Sequence, residues 1–503
     1  MCRRSDEDGT PVTEPHPADL HPDTHDDTHD HKHDDGGAAR WAALPVLAAA
    51  QFIVILDASI VNIAIPTIET DLGFAATDLQ WIINAYVLTF GGLLLFGGRL
   101  TDLLDGRRVF IAGLGVFAVA SALCALATSP GVLLGGRALQ GVGAAVLSPA
   151  GLSLLTSGFT GRRRAVALGA WGAVSGVAGA AGVLLGGVLT DGPGWEWIFW
   201  INVPVCAVVA LASLRMVRSS GPRTPTSLDL PGSVLITATV TTLVFGVVRS
   251  EQDGWTSALV LSSFAASAAL LVAFLLVESR TTDPLVPLEV FRLRDLSVGN
   301  TVNVVFGAVQ LSTFFVLTLY LQQVRGDSAQ DAGIAYLPLA AAAFVGSGLA
   351  SALLPRLGAR IPLVAGLVAL AVGLWWFSLL EADDAYAAGF LGPSVLWGTG
   401  LGLAAVAVLS AATEDLGGEG ESGLASGLFN TTQQVGGAVG LALLSTIAFD
   451  RTGEVAATGA DPASALLEGL QLALQTGAVL AAVGAVVALV GLVGPRGRAG
   501  VRP

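Results

Sequence analysis

Two ionisable side chains, Asp57 and Arg137, lie deep inside long apolar segments of this sequence. A charge at the centre of a bilayer costs about 2.5–3.5 kcal/mol even on a lenient insertion scale, so a membrane helix retains one for a reason. Asp57 lies about eight residues from the outer end of its segment and Arg137 about six from the outer end of its own. At 1.5 Å per residue these depths are ~12 Å and ~9 Å, so the two side chains can meet if their helices are neighbours.

A buried carboxylate of this kind can carry a proton across a membrane. No histidine is placed to do so, because all six lie in the first forty residues: His16, His21, His25, His29, His31 and His33. Asp57 is therefore the candidate for proton coupling, with Arg137 as its partner. The alternative, which the sequence leaves open, is a static ion pair that only orients two helices.

Amide side chains form polar stripes on several apolar segments, at the spacing that places them on one helix face. Stripes on segments from both halves of the chain predict a shared polar cavity for a substrate. The predicted cavity residues are Asn62, Asn84, Gln140, Asn300, Asn303, Gln310, Asn430, Gln433 and Gln434. Each amide can instead hydrogen-bond to a neighbouring helix, which is the structural alternative.

The elements that carry these side chains are predicted to be transmembrane helices. Charged residues make up 13% of the chain and hydrophobic ones 53%, whereas soluble domains carry about 25% charged residues. Apolar segments long enough to span a bilayer recur from Trp41 to Gly494, and we count fourteen of them. The chain is therefore predicted to be an all-α membrane protein, which excludes a soluble enzyme.

The distribution of basic residues tests the count, since cytoplasmic loops are enriched in Lys and Arg. With the N-terminus in the cytoplasm, 21 of the 25 basic residues fall on the inner side and 3 on the outer side, and Arg137 is inside a helix. An error of one helix would exchange the two sides for every later loop. We therefore expect both termini in the cytoplasm.

The chain divides into two six-helix bundles around an inserted helix pair. Two short basic loops at matching places, residues 98–108 and 353–360, suggest a repeat, and repeated halves around a midplane site are typical of transporters. The predicted regions are a disordered His/Asp-rich tail (1–40), an N-terminal bundle (41–215), the inserted pair (216–295), a C-terminal bundle (296–494) and a C-terminal tail (495–503).

We expect no metal site and no cofactor. The histidine-rich tail can bind a divalent ion loosely, but a solvated low-complexity arm explains its composition as well. Cys124 and Cys206 lie in apolar segments and predict no disulfide.

Several motifs resemble those of the fourteen-spanner drug:proton antiporters of the major facilitator superfamily. They cover about residues 42–493 in the family's order. The matching segments are Leu56–Pro66 in helix 1, Gly98–Arg108 after helix 2, Arg137–Gly143 in helix 4, Trp171–Gly187 in helix 5, Trp195–Phe199 with Asn202 and Pro204 before helix 6, Tyr320–Gln323 and Gly423–Gly427.

The resemblance implies a major facilitator fold of 6 + 2 + 6 helices, with helices 1, 4, 9 and 12 around the cavity. It also implies roles for a cytoplasmic loop motif, in which Asp102 belongs to an inner latch between helices 2 and 3, and for a helix 5 motif. The loop motif comprises Gly98, Asp102, Arg107 and Arg108, and the helix 5 motif comprises Gly176, Gly182, Gly186 and Gly187. Two positions depart from the family pattern, since Asp105 replaces a glycine and Val183 a proline.

The predicted function is proton-coupled export of a small molecule, a drug, antibiotic or toxic metabolite, by alternating access. A proton-coupled nutrient importer and a non-transporting membrane receptor are the alternatives. The expected partners are the substrate, protons and the lipid bilayer, without nucleic acid. We expect a monomer in a bacterial cytoplasmic membrane, crossing it many times.

Overall fold

The structure is a computed structural model, and its described part is entirely helical apart from turns and loops. It describes residues 35–74, 79, 81–159, 161–217, 229–281, 284–382, 386–413 and 422–492. The predicted N-terminal tail up to residue 34 and the C-terminal tail lie outside these ranges.

Six long helices form the first half of the protein. They are α1 (Asp35–Leu72), α2 (Trp81–Leu103), α3 (Gly106–Ala125), α4 (Pro130–Gly158), α5 (Gly161–Asp191) and α6 (Asn202–Met216), the last preceded by a short helix, Trp197–Trp200. These helices agree with the predicted all-α fold class. Each helix satisfies its own backbone hydrogen bonds, as a bilayer requires.

Two helices follow, and six more form the second half. They are α7 (Leu230–Asp253), α8 (Ala258–Glu278), α9 (Arg294–Leu319), α10 (Leu337–Leu357), α11 (Arg360–Phe377), α12 (Leu391–Thr413), α13 (Ser422–Ala457) and α14 (Pro462–Gly491). A π-helical turn, Tyr320–Val324, extends α9, and two short helices, Ala329–Ala335 and Tyr386–Gly389, precede α10 and α12.

Thirteen helices in the described part are long and apolar enough to cross a membrane. The fourteenth long helix is α5, whose 31 residues extend ~46 Å at 1.5 Å per residue, more than a bilayer's hydrocarbon core of about 30 Å. The apolar part of α1 begins at Trp41, although the helix itself begins at Asp35. Fourteen long helices are therefore present in the described part, and thirteen of them meet both conditions for a membrane span, close to the predicted fourteen.

Local sequence sets several helix starts. Asp105, Ser257 and Asp461 each accept a hydrogen bond from a backbone N–H of the first turn, as N-cap residues do. Asp105 is the position where the resembling family has glycine, and its side chain caps α3. Proline occupies the first turn of α4 and α14, where its missing N–H has no helical partner to lose.

The two halves meet at several pairs of helices. Helices α2 and α4 pack against α13, and α5 packs against α10 and α12. The pair α7 and α8 lies beside them, since α7 contacts both α2 and α13. Small residues make the close approach possible, because a methyl group added at Gly98 of α2 would collide with the backbone of Gly423 at the start of α13.

Candidate functional site

Asp57 of α1 and Arg137 of α4 form a buried ion pair. A guanidinium Nη1 of Arg137 lies 2.6 Å from Oδ2 of Asp57, and the side chains are 1% and 0% exposed. Arg137 also donates from Nε to the carbonyl oxygen of Ile82 at 3.0 Å, and its guanidinium lies 4.5 Å from the ring centroid of Tyr86. The two residues meet, which their similar depths allowed and the family resemblance implied. Helix α2 supplies the Ile82 and Tyr86 contacts of the arginine.

Two amides complete the hydrogen bonding of the Asp57 carboxylate. Oδ1 accepts from Nε2 of Gln140 at 3.0 Å and from Nδ2 of Asn202 at 2.8 Å. The hydroxyl of Ser121 accepts from the same two amides, at 2.7 Å and 3.4 Å. Residues from α1, α3, α4 and α6 therefore share one buried polar network, which we call the Asp57 network: Asp57, Ser121, Arg137, Gln140 and Asn202.

The Asp57 carboxylate thus has one charge-assisted contact with Arg137 and two amide donors. A proton that binds Asp57 would cancel its charge and remove its attraction for Arg137, whose guanidinium still has Ile82 and Gln140 as acceptors. The geometry suits a site at which Asp57 either holds a proton or pairs with Arg137.

Helix α5 approaches α1 directly beside Asp57. A Cβ added at Gly182 would lie 2.6 Å from Cβ of Ser59 and 3.1 Å from the carbonyl oxygen of Leu56. Gly186 is also buried, whereas a Cβ at Gly187 would meet nothing within 4 Å. Of the predicted helix 5 motif, Gly182 therefore fixes the distance between the helices at Asp57. The surroundings of Gly176 lie outside the described residues.

The predicted cavity amides of the second half come together on α9 and α13. Asn303 donates to the carbonyl oxygen of Phe429 at 2.7 Å and to Oγ1 of Thr432 at 2.9 Å. The hydroxyl of Thr432 donates to Oδ1 of Asn300 at 3.0 Å. Nε2 of Gln433 lies 3.3 Å from Oε1 of Gln310, to which it donates. Part of the predicted stripe thus also serves helix packing.

The other predicted cavity residues are dispersed. Gln140 lies in the Asp57 network, away from the amides of α9 and α13, which differs from its predicted place in the cavity. Asn84 and Gln434 are half-buried. The side chain of Asn62 lies outside the described residues. The stripe on α4 indicated a polar face correctly, but at Gln140 that face meets α1 and α3.

One polar contact joins the two halves near the middle of the bundle. The hydroxyl of Ser148 on α4 lies 3.2 Å from Oε1 of Gln51 and 3.4 Å from Oδ1 of Asn430 on α13. Asn430 was predicted as a cavity residue, and this contact gives it a place between α4 and α13. A substrate between the halves would meet this contact.

The loop motif lies at the end of the bundle predicted to face the cytoplasm. Asp102 accepts hydrogen bonds from the backbone N–H groups of Gly423 and Leu424, both at 2.8 Å. The latch implied between helices 2 and 3 thus crosses to the first turn of α13 in the other half. Arg107 contacts the carbonyl oxygens of Leu214 and Val217 at the end of α6, whereas Arg108 is 85% exposed.

Three residues of these sites were not predicted from sequence. Ser121 is uncharged and belongs to none of the motifs, and Asn202 was noted only as part of the family resemblance. Arg164, at the start of α5, donates to the carbonyl oxygen and hydroxyl of Thr413, both at 3.1 Å, and so caps the end of α12 from the other half.

The described residues contain no group of three or more His, Cys, Asp or Glu side chains that could hold a metal ion. The histidine-rich tail lies outside those residues.

Comparisons with known proteins agree on the type of protein. The family profile described as the Major Facilitator Superfamily matches residues 47–441. The chain is 43% identical to the cephamycin export protein CmcT of Amycolatopsis lactamdurans, over 80% of this chain and 84% of the relative. It is 40% identical to the puromycin resistance protein pur8 of Streptomyces alboniger, over 84% of each. It is 35% identical to the tetracenomycin C resistance and export protein of Streptomyces glaucescens, over 82% and 77%.

Solved structures share the fold. The human organic anion transporter MFSD10 superimposes with a TM-score of 0.60 at 14% identity, covering 89% of this chain and 99% of that one. The transporter FucP, in its outward conformation, gives a TM-score of 0.55 at 14% identity with the same coverage.

Proposed function

The chain belongs to the Major Facilitator Superfamily, and we propose that it exports an antibiotic or similar small molecule in exchange for protons. Relatives whose names describe antibiotic export and resistance support the export of such compounds. The observation that carries the coupling is the buried ion pair of Asp57 and Arg137. Amide donors from α4 and α6 hold the carboxylate, and a carbonyl oxygen of α2 accepts from the arginine.

The coupling step is a proton transfer to Asp57. A proton from the outer side bonds to a carboxylate oxygen, and Arg137 loses its ionic partner. When the cavity faces inward the proton leaves, Arg137 approaches, and the ion pair forms again. Each 100 mV of proton-motive force supplies ~2.3 kcal/mol per proton, which sustains roughly a fifty-fold substrate gradient.

The substrate is proposed to bind between the halves, against the amides of α9 and α13 and the contact of Ser148 with Asn430. Amides offer both donors and acceptors without charge. Neutral or zwitterionic compounds suit this lining best.

We also propose a monomer in the bacterial cytoplasmic membrane with both termini inside. The arginine distribution of the sequence supports this orientation. The six-helix halves and the inserted pair α7 and α8 are the proposed functional units.

The test is proton release driven by substrate in proteoliposomes, with an antibiotic from a growth-inhibition screen. Wild type is expected to release protons on substrate addition and Asp57→Asn to release none, because the amide cannot bind the proton. Asp450→Asn, which makes the same change at an exposed position of α13, serves as the control. Coupled export by Asp57→Asn would contradict the assignment, and uptake in place of export would favour the importer.

A further inference from the structure

Two acidic residues on the inserted helix pair bury their carboxylates beside the same glycine, Gly232. Asp229 precedes α7 and Glu278 ends α8, and the two residues are 5% and 3% exposed. A methyl group added at Gly232 would collide with Oδ2 of Asp229 and lie 2.8 Å from Oε1 of Glu278. Both oxygens therefore face the same small volume. The Asp57 network contains neither residue.

Three oxygens of this pair lack a well-formed hydrogen bond among the described residues. Oδ1 of Asp229 accepts from the backbone N–H of Gly232 at 2.9 Å, as an N-cap does. Oδ2 of Asp229 is buried without a donor. Both oxygens of Glu278 are buried, and the backbone N–H groups of Leu285 and Val286 are only weak donors to them. Buried polar atoms of native proteins are nearly always satisfied, so this group needs an explanation.

One cation among the described residues acts on the two carboxylates. It is Arg99, three residues before Asp102 on α2, whose charge acts on Glu278. Its Nε is also buried without a partner in the described part. The helices that carry the pair contribute Ile236 and Phe274 to one apolar cluster, which also contains Leu285.

We propose that Asp229 and Glu278 form a second proton-binding site of this transporter, distinct from Asp57. Two carboxylates that face one small volume away from water disfavour ionisation of each other, and such pairs can share one proton. A proton taken from water bonds to one carboxylate oxygen and donates a hydrogen bond to the facing oxygen. The pair then carries one negative charge, which Arg99 balances.

The chemistry favours a proton over a metal ion. Calcium and magnesium prefer six or more oxygen ligands, and the described part offers two carboxylates here. Arg99 would repel a bound cation, whereas it balances a singly protonated pair. Arg99 directly follows Gly98, whose close contact with Gly423 joins α2 and α13.

The test is infrared spectroscopy of the purified full-length protein in lipid, at neutral pH and across a pH series. The wild type is expected to show the carbonyl stretch of a buried protonated carboxyl group. Glu278→Gln should remove that band, because the amide cannot hold the proton. Glu289→Gln, at an exposed position nearby, and Asp57→Asn should leave it unchanged.

Several results would overturn the proposal. They are a wild type without such a band, a band that survives Glu278→Gln, and a band that magnesium ions abolish at constant pH. If Glu278→Gln does not fold, Asp229→Asn is measured instead. A carbonyl band in Asp229→Asn with the same frequency and pH dependence as in the wild type would also contradict the shared proton. The carbonyl band of the Asp229 and Glu278 pair does not depend on proton coupling at Asp57. The two proposals can therefore fail independently.

Discussion

Asp102 of α2 accepts a hydrogen bond from the backbone N–H of Gly423, in the first turn of α13, across the boundary between the two halves. The N-terminus of a helix carries a partial positive charge, so a carboxylate there is favourable by about 0.3–1 kcal/mol, and by up to about 2 kcal/mol when partly buried. The contact closes the bundle at the end that is predicted to be cytoplasmic. Arg164 adds a cation at the C-terminus of α12, where the partial charge is negative.

The first prediction concerns this junction. Asp102→Asn keeps the shape but loses the charge, and we expect the closed arrangement to lose about 1 kcal/mol, a shift of about fivefold toward separated halves. Spin labels at the exposed residues Leu104 and Leu293, on opposite halves at this end, report the separation as a longer distance. The control is Asp253→Asn, whose carboxylate pairs with Arg249 at the other end of α7. Unchanged distances in Asp102→Asn would show that the junction does not depend on its charge.

The second prediction concerns the contact of α5 with α1. Gly182→Ala places a methyl group 2.6 Å from Cβ of Ser59, which forces the helices apart. Overpacking of this kind costs about 1–3 kcal/mol. We expect a lower melting temperature in detergent and slower transport, since Asp57 lies at the same contact.

Gly187→Ala on the same helix is the matched control, because its methyl group would meet nothing within 4 Å. Equal melting temperatures for the two variants would contradict the close packing at Gly182.

The sequence indicated the helices and the two charges of the ion pair. A bilayer requires long apolar segments and penalises isolated charges, so both leave clear traces. The similar depths of Asp57 and Arg137 allowed their contact, and the family resemblance implied that their helices are neighbours. Partners without charge leave no such trace. Asn202 and Ser121 join Asp57 because of how α6 and α3 are rotated, which periodicity alone does not determine. Asp102 binds backbone N–H groups more than 300 positions away, and every residue type except proline offers such a donor.

The third prediction concerns Asn202 as a positioning residue for Asp57. Asn202→Leu removes the donor 2.8 Å from Oδ1 of Asp57 while keeping a similar volume. A hydrogen bond to a charged group contributes about 1.5–3 kcal/mol, so we expect a clear loss of thermal stability. We also expect fewer protons released per substrate exported, which a purely structural role would not produce.

The control for that variant is Asn84→Leu, which changes a half-buried amide outside the Asp57 network. Asn202→Gln keeps an amide donor and should restore part of the proton-to-substrate ratio. An unchanged ratio in Asn202→Leu would limit Asn202 to helix packing.

The fourth prediction concerns the amides proposed to bind substrate. Gln433 of α13 and Gln310 of α9 are both half-buried, and their mutual hydrogen bond is 3.3 Å long, near the upper limit for such bonds. Both side chains can therefore exchange this bond for one to a substrate. Gln433→Leu removes a neutral hydrogen bond worth about 1 kcal/mol, so we expect KM to rise about fivefold. The number of protons released per substrate should stay unchanged, because Asp57 retains all its partners.

Gln471→Leu removes a glutamine that is bonded to the carbonyl oxygen of Leu380 and so provides the control. A rise in KM that is equal in both variants would point to a general packing effect, and an unchanged KM in Gln433→Leu would remove Gln433 from the proposed cavity.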